Sequence, residues 1–419
     1  MKVALLVPPS PFLFEPMAFP PLGVLYLSSY LKQRGHEVTV YDYNYLKGRG
    51  GDKWQKVEES DVIGFTGTTP QFSSIVEIFK NVKKSLSDKC WVIGGPHASV
   101  DPESCFTAGF NIVVVGDGEF SLSSIIEGEH EKKAICISKP IQYLDVLPFP
   151  DRSAVDLKQY HYKIDGDEAT SLISQRGCPY QCAFCSHWQG YREVRYRSVQ
   201  NVVDEINALK NTYGYRAFMF WDDEFNLNRT RTKLLCNALQ PQQIKFRCFI
   251  RANLFDVDVA KAMKDSGCVE VGCGVESGSQ HILDNIDKQT TVEQCTDARK
   301  ICKTCGIRFK AFIILGLPGE DLNSIEETRE WLRKNDPDDF DVTINTPYPG
   351  SPEWEHPENY DLIFDKAKMR KKLYQGNFYK GPPKSPVATK ALSAARLVEL
   401  RDEIEDEFNR KIKSRSLYE

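Results

Sequence analysis

Short apolar runs separated by amphipathic stretches recur along the chain in two series. In the first, Val3 to Val7, Glu37 to Tyr41, Val62 to Thr66, Trp91 to Ile93, Asn111 to Val115 and Ala134 to Ile137 are rich in strand-forming residues, and helical patterns lie between them. Strands alternating with helices bury both faces of a parallel sheet, so residues 1–137 are expected to form a doubly wound α/β domain. Residues 138–168 carry Pro140, Pro148 and Pro150 with little periodicity and read as an ordered linker. The second series runs Ser171 to Ser174, Ala217 to Trp221, Lys245 to Ile250, Val269 to Cys273, Phe309 to Leu315 and Asp341 to Ile344, trailed by helical patterns such as Val199 to Thr212 and Ser324 to Arg333. Six such units predict a partial (β/α)6 barrel over residues 169–350, with residues 351–419 as a C-terminal extension.

Chemistry in both architectures belongs at the carboxyl ends of the strands. In the first series those ends carry Pro8-Pro9, Gly67, Gly94-Gly95-Pro96-His97 and Gly116-Asp117-Gly118-Glu119. No G-x-G-x-x-G opens the first helix, which disfavours a nicotinamide or flavin dinucleotide. Each glycine by itself also suits a tight turn. In the second series the strand ends carry Asp222-Asp223-Glu224, Arg251, Gly274-Val-Glu276-Ser-Gly278 and Gly316-Leu-Pro-Gly319-Glu320. An acid after the second strand could hold an ammonium or cap a helix, and Arg251 and Glu276 could pair across the barrel mouth.

A length of 419 residues suggests two or three domains. With 41% hydrophobic and 27% charged residues the composition is that of a soluble globular protein, and a net charge of -4 gives no reason to expect nucleic acid. No 18 apolar residues follow one another and the N-terminal run is too short for a signal segment, so no membrane span and a cytoplasmic location are expected. Thirteen cysteines, an odd number, argue for reduced thiols plus a metal site rather than disulfides.

Three of them, in Cys178-Pro-Tyr-Gln-Cys182-Ala-Phe184-Cys185, lie close enough in sequence to converge on one centre, and the next, Cys236, is 51 residues on. A cube of four irons held by three thiolates keeps one iron open. A zinc knuckle completed by His187 is the alternative. The C-x3-C-x2-C spacing with Phe184 before the last cysteine resembles the radical S-adenosylmethionine (SAM) superfamily. That resemblance implies a 4Fe-4S cluster on Cys178, Cys182 and Cys185, SAM chelated at the open iron, and reductive cleavage to a 5'-deoxyadenosyl radical. It further implies SAM contacts at Phe184, at Asp222, Asp223 and Glu224 for the ammonium, at Arg251 for the carboxylate, at Glu276 for the ribose, and at Gly316 and Gly319 beside the adenine. An electron donor such as flavodoxin or ferredoxin is implied with them.

The segment Pro20-Pro-Leu-Gly23 through Gly35-His-Glu-Val38, the Gly94-Gly95-Pro-His turn and Val114-Val-Gly116-Asp-Gly118-Glu119 are similar to the cobalamin-binding-type domain of the BchE-like and phosphonate-methylase-like group. The resemblance implies a Rossmann-like domain ahead of the barrel, with corrin near Gly67, Gly94, Gly95, Gly116 and Gly118. The Asp-x-His-x-x-Gly loop that supplies a lower cobalt ligand elsewhere is absent, so cobalt without a protein histidine is implied; His97 is the one candidate otherwise. The implied reaction is methyl transfer to an unactivated carbon or phosphorus of a small molecule. Ring closure or rearrangement, and an N-terminal domain that has lost cobalamin and serves docking, are the alternatives.

Two further features have plain readings. Cys295, Cys302 and Cys305 fall on one amphipathic helix from Val292 to Cys305 and read as core. Lys366 to Glu419 has 14 Lys/Arg against 7 Asp/Glu, ends in a charged helix from Ala391 to Ile412, and contains Tyr374-Gln-Gly-Asn-Phe-Tyr379, similar to an aromatic segment that follows the barrel in relatives.

Overall fold

The computed structural model describes residues 1–10, 13–46, 50–128, 133–187, 189–371, 385 and 387–408. Pro11, Phe12, Trp188, the Tyr374 to Tyr379 segment and the last four residues of the anticipated C-terminal helix lie outside them. The chain forms two compact units, Met1–His161 with Ser186–Arg195, and Tyr162–Cys185 with Tyr196–Glu419.

In the first unit six strands, β1 (Lys2–Val7), β2 (Glu37–Asp42), β3 (Val62–Thr66), β4 (Cys90–Gly94), β5 (Ile112–Val115) and β6 (Ala134–Ile137), form one parallel sheet in the order β2-β1-β3-β4-β5-β6. Alternation along β1 explains why the strands read as near-continuous apolar runs. Val3, Leu5 and Val7 enter one core with Val24, Leu25 and Val40, and Ala4 and Leu6 enter the other with Ile63, Phe79 and Trp91. Strand order reverses between β1 and β3, so the crevice beyond their carboxyl ends is the place for a ligand. Residues after β6 pack back on this unit: Asp151 accepts from Ser28 and Lys32, each at 2.7 Å, and Tyr160 donates its hydroxyl to Asp42 at 2.6 Å. The short excursion Ser186–Arg195 is tied down by a buried ion pair between Arg195 and Asp117 and by Arg195 donating to the Ile141 carbonyl at 3.1 Å.

Among the described residues the main sheet of the second unit has seven strands, β7 (Lys163–Ile164), β8 (Asp167–Leu172), β9 (Ala217–Phe220), β10 (Lys245–Ile250), β11 (Cys268–Glu276), β12 (Arg308–Leu315) and β13 (Asp339–Ile344). They lie in simple sequential order, and β8 to β13 are all parallel, the open arc of a partial (β/α)6 barrel. The first strand of the arc starts four residues before the predicted Ser171, because β8 opens on the polar stretch Asp167-Glu-Ala-Thr170 and is paired antiparallel with β7. The helices behind the arc are set by caps: Ser198, Asn228 and Asp256 accept from the third residue of their helices, and Thr291-Gln294 and Asp321-Ser324 close capping boxes. Alternate residues on β10 and β12, Phe246, Cys248, Ile250, Phe309, Ala311 and Ile313, are buried against those helices. The helix Val292–Cys305 buries Cys295 and Cys302 in the same layer, and burial pushes the Cys295 thiol up to about 12.

Candidate active site

In the second unit the cysteine loop leaves β8 through Gly177, whose φ of +101° only glycine takes at no cost, and crosses the carboxyl ends of the arc. Its path is fixed from three sides. Ala183 donates its amide to Ile286 O at 2.9 Å and accepts from the Glu353 amide at 3.1 Å, and Arg231 donates to Ser174 O at 2.9 Å. Phe184 packs against Ile282, Leu283, Ile286 and Leu317, which is a structural reason for an aromatic residue ahead of Cys185. Cys178 and Cys182 are buried and Cys185 half-buried. Burial, with the repulsion of Glu224, Asp223 and Cys182, pushes the Cys178 thiol up to about 11; burial and the other two cysteines push Cys185 up as well.

The strand-end residues divide by how their polar atoms are used. Asp222 is buried and accepts from the Ser174 amide and hydroxyl, each at 2.6 Å, and from the Gln175 amide at 3.1 Å. Burial raises it to about 6 despite those bonds. Its carboxylate therefore holds the start of the cysteine loop. Glu224 differs: its Oε2 is buried without a hydrogen-bond partner, and burial lifts the group to about 7 against the pull of Lys288 and Arg251. Asp223, between them, is half-buried. Gln175 donates to Glu224 O at 2.7 Å and leaves its own Oε1 unpartnered.

Arg251 is almost fully buried with its guanidinium 3.4 Å from the Tyr180 ring centroid, and its Nε and Nη2 have no acceptor. The ion pair with Glu276 that the sequence allowed does not form. Glu276 instead accepts from Lys288 at 2.7 Å, inside the wall of the arc. At the fifth strand end Gly316 and Gly319 have φ of +82° and +80°; a Cβ at Gly319 would stand 2.4 Å from Asn285 Nδ2. Glu320 folds back to accept the Gly316 amide, is fully buried, and is raised by burial to about 8. Lys288, Tyr180 and Gln175 were missed by the sequence reading. Tyr180 and Gln175 flank Cys178 and so lay within reach of the motif, whereas nothing in the sequence marks Lys288.

Unbonded, buried donors and acceptors carry a desolvation cost of about 1–3 kcal/mol each, so they are rare unless something else meets them. Here a two-N–H donor face (Arg251), a carboxylate oxygen (Glu224) and an amide oxygen (Gln175) accompany three cysteines on the adjoining loop. Such a set fits a zwitterion with one carboxylate and one ammonium, held beside a thiolate-ligated centre. Among the described residues no three His, Cys, Asp or Glu side chains converge on a single-ion site; a cube of irons takes its thiolates on separate corners and so needs them further apart. His187 stacks on Tyr191 at 5.2 Å, and burial lowers it.

In the first unit the strand-end glycines sit where the chain crowds itself. A Cβ at Gly95, which has φ +86°, would lie 2.2 Å from Thr66 Oγ1, and one at Gly67 would lie 2.6 Å from Ile75 Cδ1. Gly94 and Gly118 have more room, with Val114 and Leu27 the nearest neighbours, and Gly116 takes a φ of +93° while donating its amide to Ser99 Oγ at 2.9 Å. His97 is buried with Nδ1 3.1 Å from Thr69 Oγ1 and Nε2 3.0 Å from Ser104 Oγ, its ring 4.0 Å from that of Phe72. Both ring nitrogens are thus spent on hydroxyls.

A model of the radical SAM superfamily matches residues 172–332, and one of the B12 binding domain matches residues 16–126. An uncharacterised methyltransferase of Pyrococcus horikoshii is 31% identical over 394 residues, covering 85% of this chain and 83% of that one. The anaerobic magnesium-protoporphyrin IX monomethyl ester cyclase of Cereibacter sphaeroides is 25% identical, over 84% of this chain and 62% of its own. Among solved structures, the radical SAM methyltransferase TsrM of Kitasatospora setae, bound to cobalamin and a 4Fe-4S cluster, superposes with a TM-score of 0.70 at 19% identity over 87% of this chain and 81% of that one.

Proposed function

This chain belongs to the radical SAM superfamily, among its members with an N-terminal B12-binding domain, and on that premise we propose that it is a cobalamin-dependent methyltransferase acting on an unactivated carbon or phosphorus of a small molecule. The observation that carries the site is the unpartnered set of Arg251 Nε and Nη2, Glu224 Oε2 and Gln175 Oε1 next to the three-cysteine loop. When bound, a 4Fe-4S cluster with one open iron supplies the electron that cleaves SAM to a 5'-deoxyadenosyl radical, and cobalamin supplies the methyl carrier.

The chain's own residues bind and orient. Cys178, Cys182 and Cys185 would hold the cluster, and the raised thiols of Cys178 and Cys185 would make these two stronger donors once a cationic centre removes the protons. Arg251, stacked on Tyr180, would take the SAM carboxylate through its two free N–H groups. Glu224 would take the ammonium with its free oxygen, while Asp222 keeps the loop in place. The ribose falls to Glu276 and the adenine edge to the main chain from Gly316 to Gly319. In the first unit a corrin would sit beyond the β1 and β3 strand ends, with the Gly94-Gly95 and Gly116-Asp-Gly118 turns beside it and no histidine offered to cobalt. The electron would come from a one-electron donor such as flavodoxin or ferredoxin. No helix among the described residues is long and apolar enough to cross a membrane.

Ring closure is the second reading, raised by the name of the cyclase relative. One experiment separates the two: anaerobic reconstitution of the full chain with iron, sulfide, SAM, hydroxocobalamin and a one-electron reductant such as reduced flavodoxin, assayed for 5'-deoxyadenosine and S-adenosylhomocysteine. Methyl transfer gives both products, ring closure gives the first alone, and formation of neither would refute the reading.

A further inference from the structure

Lys288 sits twelve residues after Glu276, in the turn between the helices Gln280–Asn285 and Val292–Cys305. It is only 5% exposed, a state in which lysine is found almost solely when paired. Its Nζ donates to Glu276 Oε1 at 2.7 Å and lies 5.8 Å from the ring centroid of Phe184, the residue between Ala183 and Cys185 on the cysteine loop. The surrounding chain is shaped to hold this pair. A Cβ at Gly274 would stand 2.3 Å from Glu276 Oε1 and 2.8 Å from Lys288 Nζ, so a side chain there would displace the pair from this arrangement. Glu276 itself has φ +62°, at a register shift where β11 pairs with β12. Backbone of that kind in a non-glycine residue costs free energy and persists only where the surroundings impose it.

Of the pair it is the ammonium that stands against the cysteine loop, over the ring of Phe184 next to Cys185. Glu276 and Glu224 hold Lys288 in its charged form against its own burial. A fixed ammonium in a low-dielectric wall interacts more favourably with a centre that has gained an electron than with the same centre before it. Glu276, bonded to the ammonium, offsets part of that field.

We propose that Lys288 is a positioning cation for the cysteine loop: it raises the reduction potential of a cluster held by Cys178, Cys182 and Cys185, and Glu276 sets how much of its charge the cluster feels. The proposal rests on the cluster assignment above. One electron enters from the external donor, and Lys288 gains and loses nothing.

The test is a redox titration of the full chain, reconstituted anaerobically with iron and sulfide and without SAM, followed by electron paramagnetic resonance of the reduced cluster. At a fixed potential near the wild-type midpoint, Lys288→Met should lower the reduced-to-oxidised ratio by about tenfold, and Glu276→Gln should raise it by about tenfold, tenfold being 59 mV for one electron. Midpoints unchanged in both variants, or shifted in the same direction, would overturn the proposal. If Lys288→Met takes up no iron, Glu276→Gln decides alone: a rise supports the proposal and no rise refutes it. A wild-type chain that holds no four-iron cluster, read by iron and sulfide analysis, would remove the assignment on which the proposal rests and the proposal with it.

Discussion

Ser174 gives Asp222 both its backbone amide and its hydroxyl, each at 2.6 Å, at the point where the chain leaves β8 for the cysteine loop. An acid at a strand end next to a cofactor loop invites assignment as a ligand, yet these bonds and the Gln175 amide commit Asp222 to the loop itself. Asp222→Ala would leave those donors buried and unmet, at a cost of about 1–3 kcal/mol each. The expected outcome is a fall in Tm of several degrees in the unreconstituted protein, together with lower iron uptake. Weakened SAM binding at an unchanged Tm would return Asp222 to the ligand set.

Glu224 and Arg251 should behave in the opposite way. Their unpartnered atoms gain nothing from the fold, so Glu224→Gln and Arg251→Met should leave iron content and Tm near wild type while raising the SAM Kd by about ten- to a hundredfold, the worth of one charge-assisted hydrogen bond. Equilibrium dialysis against the reconstituted protein reads this directly. SAM binding at wild-type affinity in both variants would remove them from the site.

The first βα series was legible because its strands are buried on both faces and read as apolar runs, as at Val3 to Val7, and the second because alternate residues such as Phe309, Ala311, Ile313 and Leu315 are buried and apolar. The opening of β8 was not, since Asp167-Glu-Ala-Thr170 pairs its backbone in the sheet while showing a polar sequence. Its turn was nevertheless signposted: Asp165-Gly166, with φ of +49° and +83°, is the two-residue hairpin signal in plain form. The cysteine loop was legible because three ligands fall within eight residues. The division of labour among Asp222, Asp223 and Glu224 was not, because adjacent acids differ only in which backbone donors the fold brings to them. Lys288 escaped for the same reason: a lone lysine between two helices acquires meaning only from the glycine that clears its space and the glutamate across the strand.

Glu320 gives the protein a pH signature independent of any cofactor. Burial holds its carboxyl up at about 8, far above its value in an unfolded chain, although the Gly316 and Leu317 amides pull the other way. The folded state therefore binds a proton that the unfolded state releases, and stability from this group is fully present below the unfolded value near ~4.3 and is lost as pH rises toward the folded one, at up to about 1.4 kcal/mol per pH unit. Glu320→Gln should flatten the fall in denaturation midpoint between pH 5 and pH 8. A variant whose midpoint still falls with pH as steeply as wild type would show that the titrating group is another.

The last prediction concerns the cobalt. His97 is the one histidine on the strand-end turns of the first unit, so it is the residue on which a lower-ligand claim would have to rest. Its Nδ1 and Nε2 are each taken by a hydroxyl, of Thr69 and Ser104, and its ring lies against Phe72, so turning it toward a corrin would break two buried hydrogen bonds and a ring contact together. Each hydroxyl left unmet would cost about 1–3 kcal/mol. His97→Ala should accordingly lower the Tm while leaving the cob(II)alamin resonance of the loaded protein unchanged. A nitrogen superhyperfine splitting present in wild type and absent from His97→Ala would put the imidazole on cobalt and require the turn at Gly95 to open on binding.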